Sequence, residues 1–535
     1  MHSITKRSSL LLLPLLAVAL TTACQRSAGA PVADAPFAYQ EADIARLQAR
    51  MNAGELDSVT LTDAYLRRIA ELDRSGPMLH AVVEVNPAAR REAAQRDAER
   101  RAGEVRGPLH GMPILLKDNI AATPMHNTAG SLALKGFRPG RDAFLVQRLR
   151  QAGAVILGTT NLSEWANYRS THSTSGWSAV GGQTRNPYAL DRNPCGSSSG
   201  SAVATAANLA VATVGTETDG SITCPAALSG IVGLKPTVGL VSRDGIIPIS
   251  FSQDTAGPMT RSVADAALLL GAMAGRDPAD PATAATPGRA VYDYAARLRP
   301  DALRGARIGL LRNPMNERPE IKPVIDQAVA TLRAAGATVV ETSLPGDGSW
   351  ENDEQIVLQY EFKAGLNRYF KQWDTPVDSL AELIAFNKAH AAEEMPFFGQ
   401  ELLEQAEAAG SLNDPAYISA RNNARRLAGP QGIDAALQAN KLDALIAPTT
   451  GVAWRTTLGE GDDYPGGNYG AAAVAGYPSL NVPMGHAGGL PLGLLFMGTA
   501  WSEPRLLELG YAYEQLTRAR RPPQFAAHAS QDQAD

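Results

Sequence analysis

Apolar residues recur at helical spacing near the start of the chain and in short continuous runs beyond it. Ile44, Leu47 and Met51 fall on one helical face and stop at Gly54, and Leu61, Tyr65, Ile69 and Leu72 form a second such stripe. Asn86-Pro87 then predicts the start of a charged third helix, with Asn as cap and Pro in the first turn, closing near Gly103. From Ile114 onward the period changes. Ile114-Leu115-Leu116, Val155-Ile156-Leu157, Val211 to Gly215, Arg307 to Leu311 and Thr338-Val339-Val340 read as buried strands. A helix through Val324, Ala328 and Leu332 separates the last two. This alternation predicts an α/β fold around a largely buried sheet. Residues 345–440 read as a more polar, helical region, serving either as a cover over a cleft or as a structural cap.

Another apolar stretch, Leu10 to Leu20, follows Lys6 and Arg7. It is too short to span a bilayer and fits a secretory signal, with a hydrophobic start on a cytosolic enzyme as the bland alternative. Two cleavage sites compete: before Cys24, in the lipoprotein-like run Leu20-Thr21-Thr22-Ala23-Cys24, or near Ala30, after Ala28-Gly29-Ala30. The expected organisation is a signal over 1–30, one domain over 31–525 and a polar tail over 526–535. Export predicts a periplasmic protein or an outer-membrane lipoprotein of a Gram-negative bacterium. The mature chain would have no transmembrane span and, in the second case, a lipid anchor at Cys24.

Two loops carry the candidate chemistry. Gly196-Ser197-Ser198-Ser199-Gly200-Ser201 and Gly215-Thr216-Glu217-Thr218-Asp219-Gly220-Ser221 are rich in glycine and hydroxyls, and the small-residue run Ala202 to Val214 joins them. Neither ends in the Gly-Lys-Ser/Thr that a phosphate-binding P-loop needs. The other chemistry such loops support is acyl transfer, a serine nucleophile beside backbone N–H groups that hold an oxyanion. A base is then required. Lys117 closes the run Met112 to Asn119, and at the end of a buried strand its amine would lose hydration and become easier to deprotonate. For a lysine taken alone, snorkelling to solvent at a strand end is the commoner outcome, and only the company of the two loops tips the reading toward a base.

These three segments together resemble the amidase signature family, in which lysine, bridging serine and nucleophilic serine follow in this order. The family's lysine falls on Lys117, its bridging serine on Ser197 and its nucleophile on Ser221. Gly233-Leu234-Lys235-Pro236-Thr237, Asp254-Thr255-Ala256-Gly257-Pro258-Met259, Ala447-Pro448-Thr449 and Ala475-Gly476-Tyr477-Pro478 agree with it too, as does Gly489-Leu490-Pro491-Leu492-Gly493. The resemblance covers roughly residues 40 to 520 and leans toward bacterial peptide amidases in Asn161 to Asn167 and Gly498 to Pro504. It implies one large domain with a mixed central sheet wrapped by helices, and a cis Gly196–Ser197 bond. The implied activity is release of ammonia from the C-terminal amide of peptides through an acyl-enzyme. Backbone N–H groups of Thr218, Asp219, Gly220 and Ser221 would form the oxyanion hole, with no metal and no cofactor. Five positions depart from the commonest family pattern: Cys195, Ser199, Glu217, Asp219 and Thr223. Asp219 is tolerable there if its carboxylate turns outward.

Composition narrows the partners. Over 535 residues the net charge is −5, which does not suit a nucleic-acid surface. The expected partner is a peptide amide, and the chain reads as a monomer. Eight histidines are scattered without metal-ligand spacing. In the mature chain Cys195 and Cys224 read as small buried residues, with a disulfide left open by the sequence. Three rival readings stand beside the peptide amidase. Gly196-Ser197-Ser198-Ser199-Gly200 formally matches a nucleophile elbow at Ser198, with His486 as a late histidine, although a turn and not a strand precedes it. The same mechanism could act on other small carboxamides. An exported binding lipoprotein could have kept the fold and lost catalysis.

Overall fold

The strands foreseen from the apolar runs all join one sheet. In chain order its strands are β1 (Val82–Val85), β2 (Pro113–Lys117), β3 (Val155–Thr160), β4 (Ala212–Glu217), β5 (Val232–Lys235) and β6 (Thr255–Thr260). They continue with β7 (Arg307–Leu311), β8 (Thr338–Thr342), β9 (Ala444–Pro448), β10 (Ser479–Ala487) and β11 (Leu490–Met497). Their spatial order is β1-β3-β2-β4-β6-β5-β10-β11-β9-β7-β8. The computed structural model describes His2 and residues 37–289 and 293–529, and from Glu41 onward these form one unit. The signal expected over 1–30 and its two cleavage sites lie outside the described residues, apart from His2.

The sheet is mixed. β3 and β4 flank β2 in parallel, and β9, β7 and β8 run parallel at the other end. Between them β4, β6, β5, β10, β11 and β9 pair antiparallel in succession. Strands β2, β3, β4 and β6 are buried along their whole length, as expected where helices cover both faces. Burial on both faces favours continuous apolar runs, which is why several of these strands stand out in the sequence.

The helices near the start match the stripes: Ile44–Asn52 buries Ile44, Leu47 and Met51, and Ser58–Leu72 buries Leu61, Tyr65 and Ile69. The third begins later than its signal suggested, over Ala89–Arg101. Asn86 does not cap it. Its Oδ1 accepts from the Ala88 N–H at 2.8 Å, closing a turn, while its amide donates to the Ile156 carbonyl of β3 at 2.7 Å. Tertiary contact thus outcompeted the local cap.

Two helices flank the serine-rich loops, Ser199–Ala206 before β4 and Thr223–Leu228 after it. The polar region becomes a long helix, Glu351–Trp373, followed by several shorter ones. At the other end the chain stays on the body past residue 525: the Leu190 N–H donates to the Ala526 carbonyl at 2.9 Å.

Candidate active site

The end of β2 delivers Lys117 to the interior with no exposed surface. Its ammonium nitrogen donates to Ser197 Oγ at 2.7 Å and to Thr216 Oγ1 at 2.9 Å, with the Thr216 carbonyl at 3.3 Å. Burial pushes the amine down to about 7, against the pull of the Asp254 and Glu217 carboxylates. A lysine snorkelling to solvent would keep its ordinary basicity, and this one does not reach solvent.

Ser197 follows a cis peptide bond at Gly196–Ser197. Close packing dictates the glycine, since a Cβ at residue 196 would lie 2.2 Å from Ser163 Oγ. Ser163 holds the loop from both sides: its N–H donates to the Ser197 carbonyl at 3.1 Å and its Oγ accepts from the Gly176 N–H at 2.8 Å. The neighbouring Ser198 and Ser199 serve the architecture. Ser198 Oγ donates to the Thr216 carbonyl at 2.9 Å and accepts its N–H at 3.1 Å, and Ser199 Oγ donates to the Cys195 carbonyl at 2.6 Å.

Ser221 lies where the second loop turns into the helix Thr223–Leu228, and its carbonyl accepts the Ser198 N–H at 3.0 Å. The two serine loops therefore touch directly. The Glu217 carboxylate stabilises the start of that helix, accepting the N–H groups of Ile222 at 2.7 Å and Thr223 at 2.9 Å and the Thr223 hydroxyl at 3.2 Å. The N–H groups of Thr218, Asp219, Gly220 and Ser221 donate to no acceptor among the described residues. Gly220 has φ +79°, and a Cβ there would come within 2.1 Å of the Tyr469 ring. Thr218 Oγ1 donates to Asp254 at 2.6 Å, fixing the start of the same loop.

Ser221, Gly196, Thr218 and Asp219 line a cleft of about 790 Å³. Asp219 lines it and is exposed. Trp350, Glu354 and Leu358 line it, so the region 345–440 does contribute to the cleft. Ala166, Asn167 and Tyr168 line it as well, from a loop in which Trp165, Ala166 and Asn167 all have positive φ. Among the described residues no histidine lines it. His486, partner of the rival elbow reading, instead packs against the Tyr188 ring.

Cys195 and Cys224 are not the separate inert thiols expected from the sequence; they form a disulfide, with Cα atoms 6.0 Å apart. Four of the five departures from the commonest family pattern pair off: Cys195 meets Ser199 and also bonds Cys224, and Glu217 meets Thr223. Positions read singly along the chain do not disclose these pairs. Thr216, Asn119 and Ser163 were missed too, since single hydroxyls and amides in strands and loops carry no signal of their own.

The amidase family profile matches residues 60–507. The chain belongs to the amidase family. A probable amidase of Arabidopsis thaliana is 40% identical over 504 residues, spanning 92% of this chain and 93% of that protein. The crystal structure of native peptide amidase from Stenotrophomonas maltophilia superposes with a TM-score of 0.90 at 68% identity, covering 92% of this chain and 100% of that one. A complex of the peptide amidase PAM with the competitive inhibitor chymostatin matches at 69% identity and TM-score 0.90, covering 91% and 99%. A glutamyl-tRNA(Gln) amidotransferase subunit from Halorhodospira halophila is 37% identical over 89% of this chain and 97% of its own length. The amidase is thus an amide-hydrolysing enzyme with the single α/β domain and large mixed sheet of its family.

Proposed function

We propose that this amidase removes the C-terminal amide of peptides through Ser221, Ser197 and Lys117. Ser221 Oγ attacks the amide carbon while Ser197 takes its proton and passes its own to neutral Lys117. The oxyanion that forms is held by the N–H groups of Thr218, Asp219, Gly220 and Ser221. The proton then returns through Ser197 to the leaving nitrogen, ammonia departs, and water hydrolyses the acyl-enzyme over the same relay. The observation that carries this reading is the 2.7 Å bond from Lys117 to Ser197 beside a cleft-lining loop of N–H groups without acceptors. A cleft of about 790 Å³ is far larger than a small carboxamide needs, which favours peptides. So does the high identity to the peptide amidase of Stenotrophomonas maltophilia.

Mass spectrometry of a panel of peptide amides tests it. A gain of about one mass unit at the C-terminus without internal cleavage is expected from the native enzyme. Ser221→Ala should reduce turnover by about 10⁴-fold or more, whereas Ser198→Ala should keep substantial activity because its hydroxyl serves the Thr216 backbone. A dead Ser198→Ala enzyme beside an active Ser221→Ala would overturn the assignment.

We also infer export. The N-terminal charge and apolar pattern supports it, and the disulfide suits an oxidising compartment. Intact-mass measurement in a Gram-negative host should find a lipidated start at Cys24 or a cut near Ala30. Full-length cytosolic chain in the native host would refute it.

A further inference from the structure

The cleft has one sign of charge. Asp219, Asp347, Glu351, Glu354 and Asp462 line it, and no lysine, arginine or histidine does among the described residues. Asp462 is internally satisfied, accepting from the Ser175 N–H at 3.0 Å, Asn193 at 3.2 Å and Trp454 Nε1 at 3.1 Å. Glu354 accepts from Gln253 at 2.8 Å. The carboxylates of Asp219 and Glu351 have no hydrogen-bond donor and no ion-pair partner among the described residues. Lys235 acts on Asp219 from a distance, but it is wholly buried and held on the carbonyls of Tyr477 and Pro236, outside the lining.

A separate feature of the same cleft also points to a ligand. Tyr168 is 7% exposed and lines the cleft, yet its hydroxyl has no partner among the described residues, and neither has the buried Oδ1 of the adjacent Asn167. Native proteins rarely leave such groups unpaired unless something else meets them. Apart from the loop N–H groups beside Ser221, the free side-chain groups are an amide oxygen, carboxylates, and a hydroxyl that can act either way. Glu354 is close enough to act electrostatically on both Tyr168 and Asp219. Loss of hydration and the neighbouring carboxylates push Asp219 up and Glu354 up to about 7, so the negative charge of the cleft grows as the pH rises through neutrality.

We propose that this cleft selects peptide amides bearing a guanidinium or ammonium group, and that it repels carboxylates, including its own product. The inference rests on the reading of Ser221 as the site of amide attack. Hydrolysis turns a neutral amide into a carboxylate near Asp219, Glu351 and Glu354, so the product is pushed out by repulsion while a cationic substrate is drawn in by attraction.

A matched series of peptide amides tests this. One arm varies the side chain before the amidated residue among Arg, norleucine and Glu, with the N-terminus acetylated. The other compares free and acetylated N-termini on the norleucine peptide, which separates a basic side chain from the α-ammonium as the source of charge. In the native enzyme kcat/KM should favour Arg over norleucine by about tenfold and disfavour Glu by a similar factor at low salt, with both ratios shrinking in high salt. Glu351→Gln and Glu354→Gln should each cut the Arg-to-norleucine ratio several-fold. Binding of the same peptides to Ser221→Ala, measured by calorimetry, should show the same order without turnover, and the free-acid peptide should bind more weakly than its amide. Equal binding across the series, or ratios untouched in the two glutamine variants, would overturn the charge inference while leaving amide hydrolysis standing. A charge order in binding with no turnover of any amide by the native enzyme would instead uphold the inference and remove the proposed reaction.

Discussion

At the scale of single residues, Lys117 is the group whose chemistry depends most on its surroundings. Loss of hydration lowers its amine to about 7, and in the proposed relay only the neutral form can accept the proton from Ser197. Activity should therefore be low below pH 6 and rise as the pH climbs through about 7. Asp118, pushed up to about 7 by burial, and Asp254, pushed to about 6, titrate in the same range. The comparison that isolates the lysine is Lys117→Met, which keeps its volume and removes the amine. We expect kcat/KM on amides to fall by about 10³-fold or more, with the limb near pH 7 lost from any residual activity. Retention of that limb at near-native rates would remove Lys117 from the mechanism. The lysine was legible in the sequence because it ended an apolar strand and stood in family order. Thr216 was not, although it binds Lys117, Ser198 and Asn119 together. A threonine in a strand looks like any other until its neighbours are known.

At the scale of elements, the two loops hang on short helices whose starts are tied to each other. The disulfide joins Cys195, just before Ser197, to Cys224, three residues after Ser221, across 29 residues of chain. Closing a loop of that length should contribute roughly 3–4 kcal/mol by restricting the unfolded chain. Replacing both cysteines by alanine, or reducing the native enzyme, should lower the denaturant midpoint accordingly, and denaturation curves with and without reductant would measure it. Coincident curves would show that the bond adds no stability. Elements themselves were legible to different degrees. Strands β2, β3, β4, β7 and β8 stood out as short apolar runs, whereas β6, with Gly257 and Pro258 in its middle, and β5, four residues long, gave no period to detect. Both are held by pairing with other strands, β5 with β10 across more than two hundred residues.

At the scale of the whole molecule, the cleft exists because remote segments are clamped around it. Arg169 and Glu164 form an ion pair with both side chains fully buried, and Arg169 also donates to the carbonyls of Glu394 and Phe398 while its guanidinium stacks 4.1 Å from the Phe398 ring. This pair ties the positive-φ loop on the cleft wall to the helical region beyond residue 345. Arg169→Met should cost roughly 3–5 kcal/mol, because it leaves the buried Glu164 carboxyl without its main partner, and the double variant with Glu164→Gln should regain part of it. Thermal or denaturant unfolding of the three variants decides the point; a double variant no better than the single one would mean the unpartnered carboxyl is not the cause. The sequence by itself determined the fold class, the family and the residues of the reactive loops, since these rest on local period, on glycine placement and on short motifs whose order survives without coordinates. Only the tertiary structure decided that the cysteines are bonded, that Asn86 serves a strand and not a helix, and that Asp219 lines a cleft whose ionisable carboxyls have no basic residue beside them among the described residues. Each of those depends on which distant groups arrive within a few ångströms of one another, and a pattern read along one chain holds no record of that distance.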